Sequence, residues 1–165
     1  MAAGQKLNVT TFGQTSGLPS NDVYRIVQDE QGKLWFATSG GLASFDGERF
    51  EVLELPDSAS SGIIALACDG QGRIWFLDAS SAVGYVDSGA ENRVTYVNNG
   101  EKLSTSMVLG SIGVDSLGHI WVIANELYCS NDNGQSFAQI DTAGSAFSSS
   151  VYSLALDHDG AMWFG

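Results

Sequence analysis

The sequence predicts an all-β fold made of β-propeller blades, about four repeat units of four antiparallel strands each, forming a partial or half propeller. Three observations predict it. The pattern Asp-x-x-Gly-x-apolar-Trp occurs four times, and it contains every tryptophan of the chain. Successive tryptophans lie 40, 46 and 42 residues apart (75−35, 121−75, 163−121). Each copy follows a short apolar run with β-branched content, and at this period four short strands make one blade.

The elements follow in order. Leu7 to Phe12 reads as an outer strand of a preceding or closing blade. The first strands of the repeats are Val23–Val27, Ile63–Cys68, Val108–Val114 and Val151–Leu156. Short apolar runs bounded by Asp and Gly read as strands covered on both faces. The repeat motif comes next: Asp29, Gly32 and Trp35; Asp69, Gly72 and Trp75; Asp115, Gly118 and Trp121; Asp157, Gly160 and Trp163. In each copy Asp caps backbone amides and Gly takes positive φ, so the chain turns and returns as a second strand. The recurring Trp is expected to pack on the neighbouring blade. Third strands fall at Leu42–Phe45, Ala82–Val86 and Glu126–Cys129, and fourth strands at Phe50–Leu53, Val94–Val97 and Phe137–Ile140. Asp46-Gly47 and Asn133-Gly134 mark hairpin turns between them. One domain over residues 1–165 results, with blade-like repeats at 18–55, 61–98, 106–141 and, truncated, 149–165. An open end would leave a sheet edge, so self-association or completion by further blades is expected.

Charge excludes some functions. Asp and Glu number 19 against 7 Lys and Arg, a net charge of −12. Nucleic-acid binding needs a basic stripe to displace counterions, and none is present. No run approaches the ~20 apolar residues of a membrane span, so this segment does not insert directly. Cys68 and Cys129, the only cysteines, read as small buried hydrophobes or as one disulfide. His119 and His158 fall in or just after Asp-x-x-Gly turns, where any polar residue is tolerated. No catalytic set, phosphate loop, metal-ligand spacing or cofactor motif is legible, so the chain reads as no enzyme.

The segment Gly17-Leu18-Pro19-Ser20-Asn21-Asp22, its following strand, Asp29-Glu30-Gln31-Gly32-Lys33-Leu34-Trp35, Thr38 and Gly40-Gly41-Leu42 closely resembles the two-component regulator propeller repeat. The second and third repeats keep the Asp-x-x-Gly-x-apolar-Trp element and lose the Gly-Leu-Pro opening. The resemblance implies a sensor region of a bacterial membrane receptor, periplasmic or extracellular, that senses a carbohydrate or other small ligand. A second motif, Ser130-Asn131-Asp132-Asn133-Gly134-Gln135-Ser136-Phe137, resembles the Asp-box. It implies a structural hairpin device held by Ser130, Asp132, Gly134 and Phe137, and no sialidase activity.

Strand alternation puts the Asp-x-x-Gly turns and the Asp-box on one rim. The approaches to the first strands and the turns from second to third strands lie on the other. That second rim is rich in hydroxyls and amides, which suit neutral polyols, with tyrosines for stacking. Candidate ligand-binding residues there are Asn21, Asp22, Tyr24, Ser39, Asp78, Ser80, Asn125, Glu126 and Tyr152. An interaction scaffold binding other proteins and no small molecule is the alternative.

Overall fold

The computed structural model describes residues 9–56, 62–87, 92–104, 110–141 and 151–165. The described strands form three four-stranded sheets and one of two strands. The first holds β1 (Val23–Gln28), β2 (Leu34–Thr38), β3 (Gly41–Phe45) and β4 (Phe50–Val52). The second holds β5 (Ile63–Cys68), β6 (Arg73–Asp78), β7 (Val83–Asp87) and β8 (Arg93–Tyr96). The third holds β9 (Gly110–Val114), β10 (Ile120–Ala124), β11 (Glu126–Ser130) and β12 (Ala138–Gln139), and the last β13 (Leu154–Leu156) and β14 (Met162–Phe164). Every pairing is antiparallel between strands consecutive in the chain. The first strands lie side by side in chain order, β1 by β5, β5 by β9 and β9 by β13. Consecutive blades of a propeller meet in this way.

Between sheets the core is apolar. Trp35, Ala37, Leu42 and Leu53 of the first sheet pack on Ile63, Leu66, Ile74 and Phe76 of the second. Trp75, Leu77 and Val83 pack in turn on Ile112, Val114, Ile120 and Val122 of the third. Trp121 packs beside Leu154 and Phe164 of the last, its ring 5.4 Å from that of Phe164. The period-2 alternation of β6 and β10 sends Trp to the following sheet and the residue after it to the preceding one, and in β2 it sends Trp35 to the second sheet and Phe36 to the outer face.

Two expectations are corrected. Residues 9–12 form no strand, while 7 and 8 lie outside the described residues. Phe12 instead crosses the outer face of the first sheet, 5.3 Å from Phe45 and 5.7 Å from Phe50 between ring centroids. A 3-10 turn at Gln14–Ser16 follows, ended by Gly17 at φ 105°. There the Phe12 ring gains two aromatic contacts while staying 48% exposed. Next, β1 is not covered on both faces: Val23, Tyr24 and Ile26 are exposed, because no sheet lies over that side among the described residues. Of the two readings of the cysteines, the disulfide is absent: Cys68 and Cys129 are free, half-buried thiols. Burial, helped by the charges of Asp29, Asp69 and Glu30, pushes Cys68 up to about 11, so it stays protonated and unreactive at neutral pH.

Candidate functional site

The two rims differ in how their polar groups are used. On the rim of the repeat motif each Asp is fully engaged. In the first copy Oδ1 of Asp29 accepts the amides of Gln31 (3.0 Å) and Lys33 (2.9 Å). Its Oδ2 accepts the indole N–H of Trp35 at 2.9 Å. The same indole bond recurs from Trp75 to Asp69 (2.8 Å), Trp121 to Asp115 (2.9 Å) and Trp163 to Asp157 (2.7 Å). The four motif glycines all have φ between 80° and 87°, where a side chain is disfavoured. Burial pushes the Asp69 carboxyl up, but the Trp75 indole, the Arg73 and Gln71 amides and the Arg73 guanidinium outweigh it and hold it below its ordinary value. The chemistry of this rim is consumed in holding turns. The amide caps follow from the motif. The indole bond was not foreseen, although the constant six-residue step from Asp to Trp in all four copies is the signal that carries it.

The Asp-box behaves alike. Asp132 Oδ1 accepts the Ser136 amide (3.0 Å) and the Ser130 hydroxyl (2.7 Å), while Oδ2 accepts the Ser136 hydroxyl (2.6 Å). The Ser136 hydroxyl and amide, with Ser130, lower its carboxyl to about 2. The turn seats against the second sheet, where Gly134 faces Trp75 so closely that a Cβ would come within 3.2 Å of its ring. His119 Nδ1 lies 2.8 Å from Asp115 Oδ2, and His158 is an exposed turn residue beside Asp159. Both imidazoles of the chain therefore sit on the turn rim.

The opposite rim gathers hydroxyls and carboxylates from the strand entries and the second-to-third strand turns. Leading into β1, the Asp22 amide donates to Ser20 Oγ (3.1 Å). From the β2–β3 turn, the Ser39 amide donates to the Asp22 carbonyl (3.1 Å), and Ser39 Oγ lies 2.7 Å from Ser20 Oγ and 3.4 Å from Asp22 Oδ2. Gly40 makes this approach possible, since a Cβ there would stand 2.5 Å from the Pro19 carbonyl oxygen. Gly62 brings the second sheet alongside: a Cβ on it would be 3.4 Å from the Ser39 carbonyl oxygen. Asp22 is exposed, and Tyr24 is 55% exposed beside it in sequence.

The nine candidate ligand residues thus separate. Asp22, Ser39 and Tyr24 belong to the rim of the first sheet. Asn21 adjoins them but its Oδ1 accepts the Gln14 amide (3.0 Å), which braces the incoming chain. Asp78 is withdrawn from the surface: it is 0% exposed. Its Oδ1 accepts the amides of Ser80 and Ala82 and the Ser80 hydroxyl, and Tyr96 donates to Oδ2 at 3.3 Å. Burial, then the Asp78 charge, raises the Tyr96 phenol well above its ordinary value. Asp78 and Ser80 therefore brace a turn. Asp78 stands three residues after Trp75 as Thr38 does after Trp35, and Thr38 holds its own turn through Gly41 and Gly40. That register was the available signal. Asn125, at φ 66°, donates to Ser104 Oγ at 3.0 Å, and Glu126 beside it is exposed on the third sheet. Tyr152 is 62% exposed ahead of β13. The rim residues Ser60, Ser61, Thr105, Ser106 and 148–150 lie outside the described residues.

Comparison with known proteins supports this architecture. Residues 17–40 and 145–165 match the family described as "Two component regulator propeller". No curated protein matches the sequence significantly. The structure is similar to the extracellular domain of a one component system from B. thetaiotaomicron, with 20% identity and TM-score 0.72 over 90% of this chain and 22% of that one. It is similar to the extracellular domain of a hybrid two component system from the same organism, with 20% identity and TM-score 0.71 over 94% of this chain and 23% of that one. It is also similar to virginiamycin B lyase from Staphylococcus aureus, with 17% identity and TM-score 0.70 over 89% of this chain and 50% of that one. The chain spans about a fifth to a half of the length of these structures, and identities at this level establish the β-propeller fold.

Proposed function

Because the chain carries two component regulator propeller repeats, we propose that it is a ligand-sensing part of an extracytoplasmic receptor domain and performs no catalysis itself. One observation carries the reading. The better-preserved repeat, residues 17–40, is the segment that builds the Ser20, Asp22 and Ser39 cluster beside exposed Tyr24. Hydroxyls and one carboxylate offer donors and acceptors in the mixture that a neutral polyol requires, and a tyrosine ring offers a stacking face. The acidic balance of the chain disfavours anionic ligands. Both histidines lie on the turn rim, one of them against Asp115, which supports binding without proton-transfer chemistry at the polar rim. A receptor of this kind responds because ligand binds one arrangement of the domain better than another.

Calorimetric titration with a panel of neutral oligosaccharides of glucose, mannose, galactose and xylose tests the proposal. Binding by at least one member, lost in Tyr24→Ala and weakened in Asp22→Ala while the fold is kept, is the expected result. Absence of binding across the panel, or binding indifferent to both substitutions, overturns it.

A further inference from the structure

The repeat puts equivalent side chains at equivalent places, so a place filled in one sheet and open in another stands out. In the second sheet Arg73 and Tyr85 fill the space beside Trp75. The Arg73 guanidinium lies 4.9 Å from the Trp75 ring and 5.3 Å from that of Tyr85, and its Nε donates to Asp69 at 2.7 Å. Ser44 is the equivalent of Tyr85, since it opposes Trp35 as Tyr85 opposes Trp75. Lys33 likewise stands where Arg73 does, two residues before the Trp. A serine in place of a tyrosine leaves room. The first sheet accordingly has a cavity of about 300 Å³ whose walls include Lys33, Ser44, Asp46, Arg49 and Glu51, a volume at the lower end of small-ligand pockets. Ser44 shares the face of Trp35, which meets the second sheet, and Glu51 Oε2 accepts the side-chain amide of Asn92 from that sheet at 3.0 Å.

The side chains around this cavity are not used in holding the turns. Ser44 is 1% exposed, yet no described residue bonds its hydroxyl. Among the described residues every side-chain polar atom sealed from solvent has a hydrogen-bond partner, so the Ser44 hydroxyl opens onto the cavity. The Lys33 ammonium lies 5.2 Å from the Trp35 ring and belongs to none of the ion pairs among the described residues. Glu51 uses Oε2 on Asn92 and keeps Oε1. Arg49 and Asp46 face each other at 3.7 Å. Ser44 and Glu51 oppose each other on neighbouring strands, which sets their Cβ atoms about 5 Å apart. We propose that this cavity binds a small zwitterion, a free α-amino acid. Its carboxylate accepts from Lys33 and Ser44, and its ammonium donates to Glu51 Oε1. Both charged groups of such a ligand are attached to one carbon, a separation that adjacent strands can bracket. A ligand without net charge also avoids the repulsion that a chain of net charge −12 exerts on an anion. The site lies on the turn rim and does not depend on what the polar rim binds.

Amide NMR of the labelled chain, titrated with L-alanine, L-serine and L-glutamine, tests this, with acetate and methylamine as single-charge controls. Saturable shifts at the amides of Lys33, Ser44, Arg49 and Glu51 are expected with at least one amino acid and with neither control. Lys33→Gln and Glu51→Gln are each expected to weaken binding at least about tenfold, as loss of a charge-assisted hydrogen bond does. Both side chains lie at the surface, so the remaining amide signals should stay in place. Ser44→Tyr, which installs the residue of the second sheet, is expected to abolish binding by filling the cavity. Absence of shifts with all three amino acids overturns the proposal. So does an equal response to acetate or methylamine, which would mark a site for one charge alone. Shifts at Ser20, Asp22 and Ser39 in place of the cavity amides, or binding indifferent to Lys33→Gln and Glu51→Gln, overturn it as well.

Discussion

Trp75 and Trp163 occupy the same place in the same motif, and both donate their indole N–H to an Asp six residues earlier. Their surroundings are opposite. Trp75 is 0% exposed, with Tyr85 at 5.0 Å between ring centroids and Arg73 at 4.9 Å from its ring. Trp163 is 66% exposed. The motif therefore builds its turn whether or not a neighbour covers it, because the bonds that hold the turn are local. Burial is added afterwards, by whichever sheet comes next. Local geometry and stability have separate sources in this fold, as nearest-neighbour terms do in repeat proteins.

Substitutions can break that comparison. The largest effect is expected for Trp75→Ala, about 3–5 kcal/mol in urea unfolding, as for other buried aromatic truncations. Trp163→Ala is expected to stay within about 0.5 kcal/mol, as exposed positions do. Equal losses at the two sites would mean that the motif itself, and no neighbouring sheet, supplies the stability. Trp35→Phe separates ring from hydrogen bond. It keeps most of the packing but removes the indole donor from Asp29 Oδ2, and a buried acceptor left unpaired costs about 1–3 kcal/mol. A loss under about 0.5 kcal/mol would show that the indole bond is replaceable.

Gly32→Ala probes the turn alone. At φ 87° with no close neighbour, the expected cost is about 1 kcal/mol of left-handed backbone strain, read as a lower unfolding midpoint. The smallest effect is electrostatic. The Asp132 carboxyl is held at about 2, below its ordinary 3.8, by its serine partners. A lowered value means that the charged form is favoured in the folded chain. Its contribution is complete above 3.8 and is lost as pH falls toward 2. Over that window wild type is expected to lose more stability than Asp132→Asn, and parallel pH profiles would remove the Asp-box from the account.

Much of this was legible beforehand because a repeat reports on itself. Four Trp positions in register gave the sheets, the turns and the packing of Trp35, Trp75 and Trp121 on a neighbouring sheet, while Trp163 stays exposed. Apolar runs placed β5 and β7 within one residue of their observed bounds. What the pattern could not carry was context. Ile26 and Leu66 look alike in sequence, yet one is exposed and the other buried, since only the assembled molecule decides which face has a neighbour. Asp78 looked like a rim carboxylate because Asp and Ser at a turn serve equally to bind a ligand or to cap amides. Its burial and its bonds from Ser80 and Ala82 decided between them. At Asn21 the same ambiguity holds, since its Oδ1 accepts the Gln14 amide.

The placement of the four indoles also has a spectroscopic consequence. Two are sealed from solvent and hydrogen-bonded to carboxylates, one is half-covered, and Trp163 faces water. Their fluorescence therefore forms an ordered series along the chain, from shielded to water-relaxed emission. Acrylamide should quench the Trp163 component first. Its emission should move to the blue whenever that ring becomes covered, so the chain carries an intrinsic reporter of burial at its last described sheet.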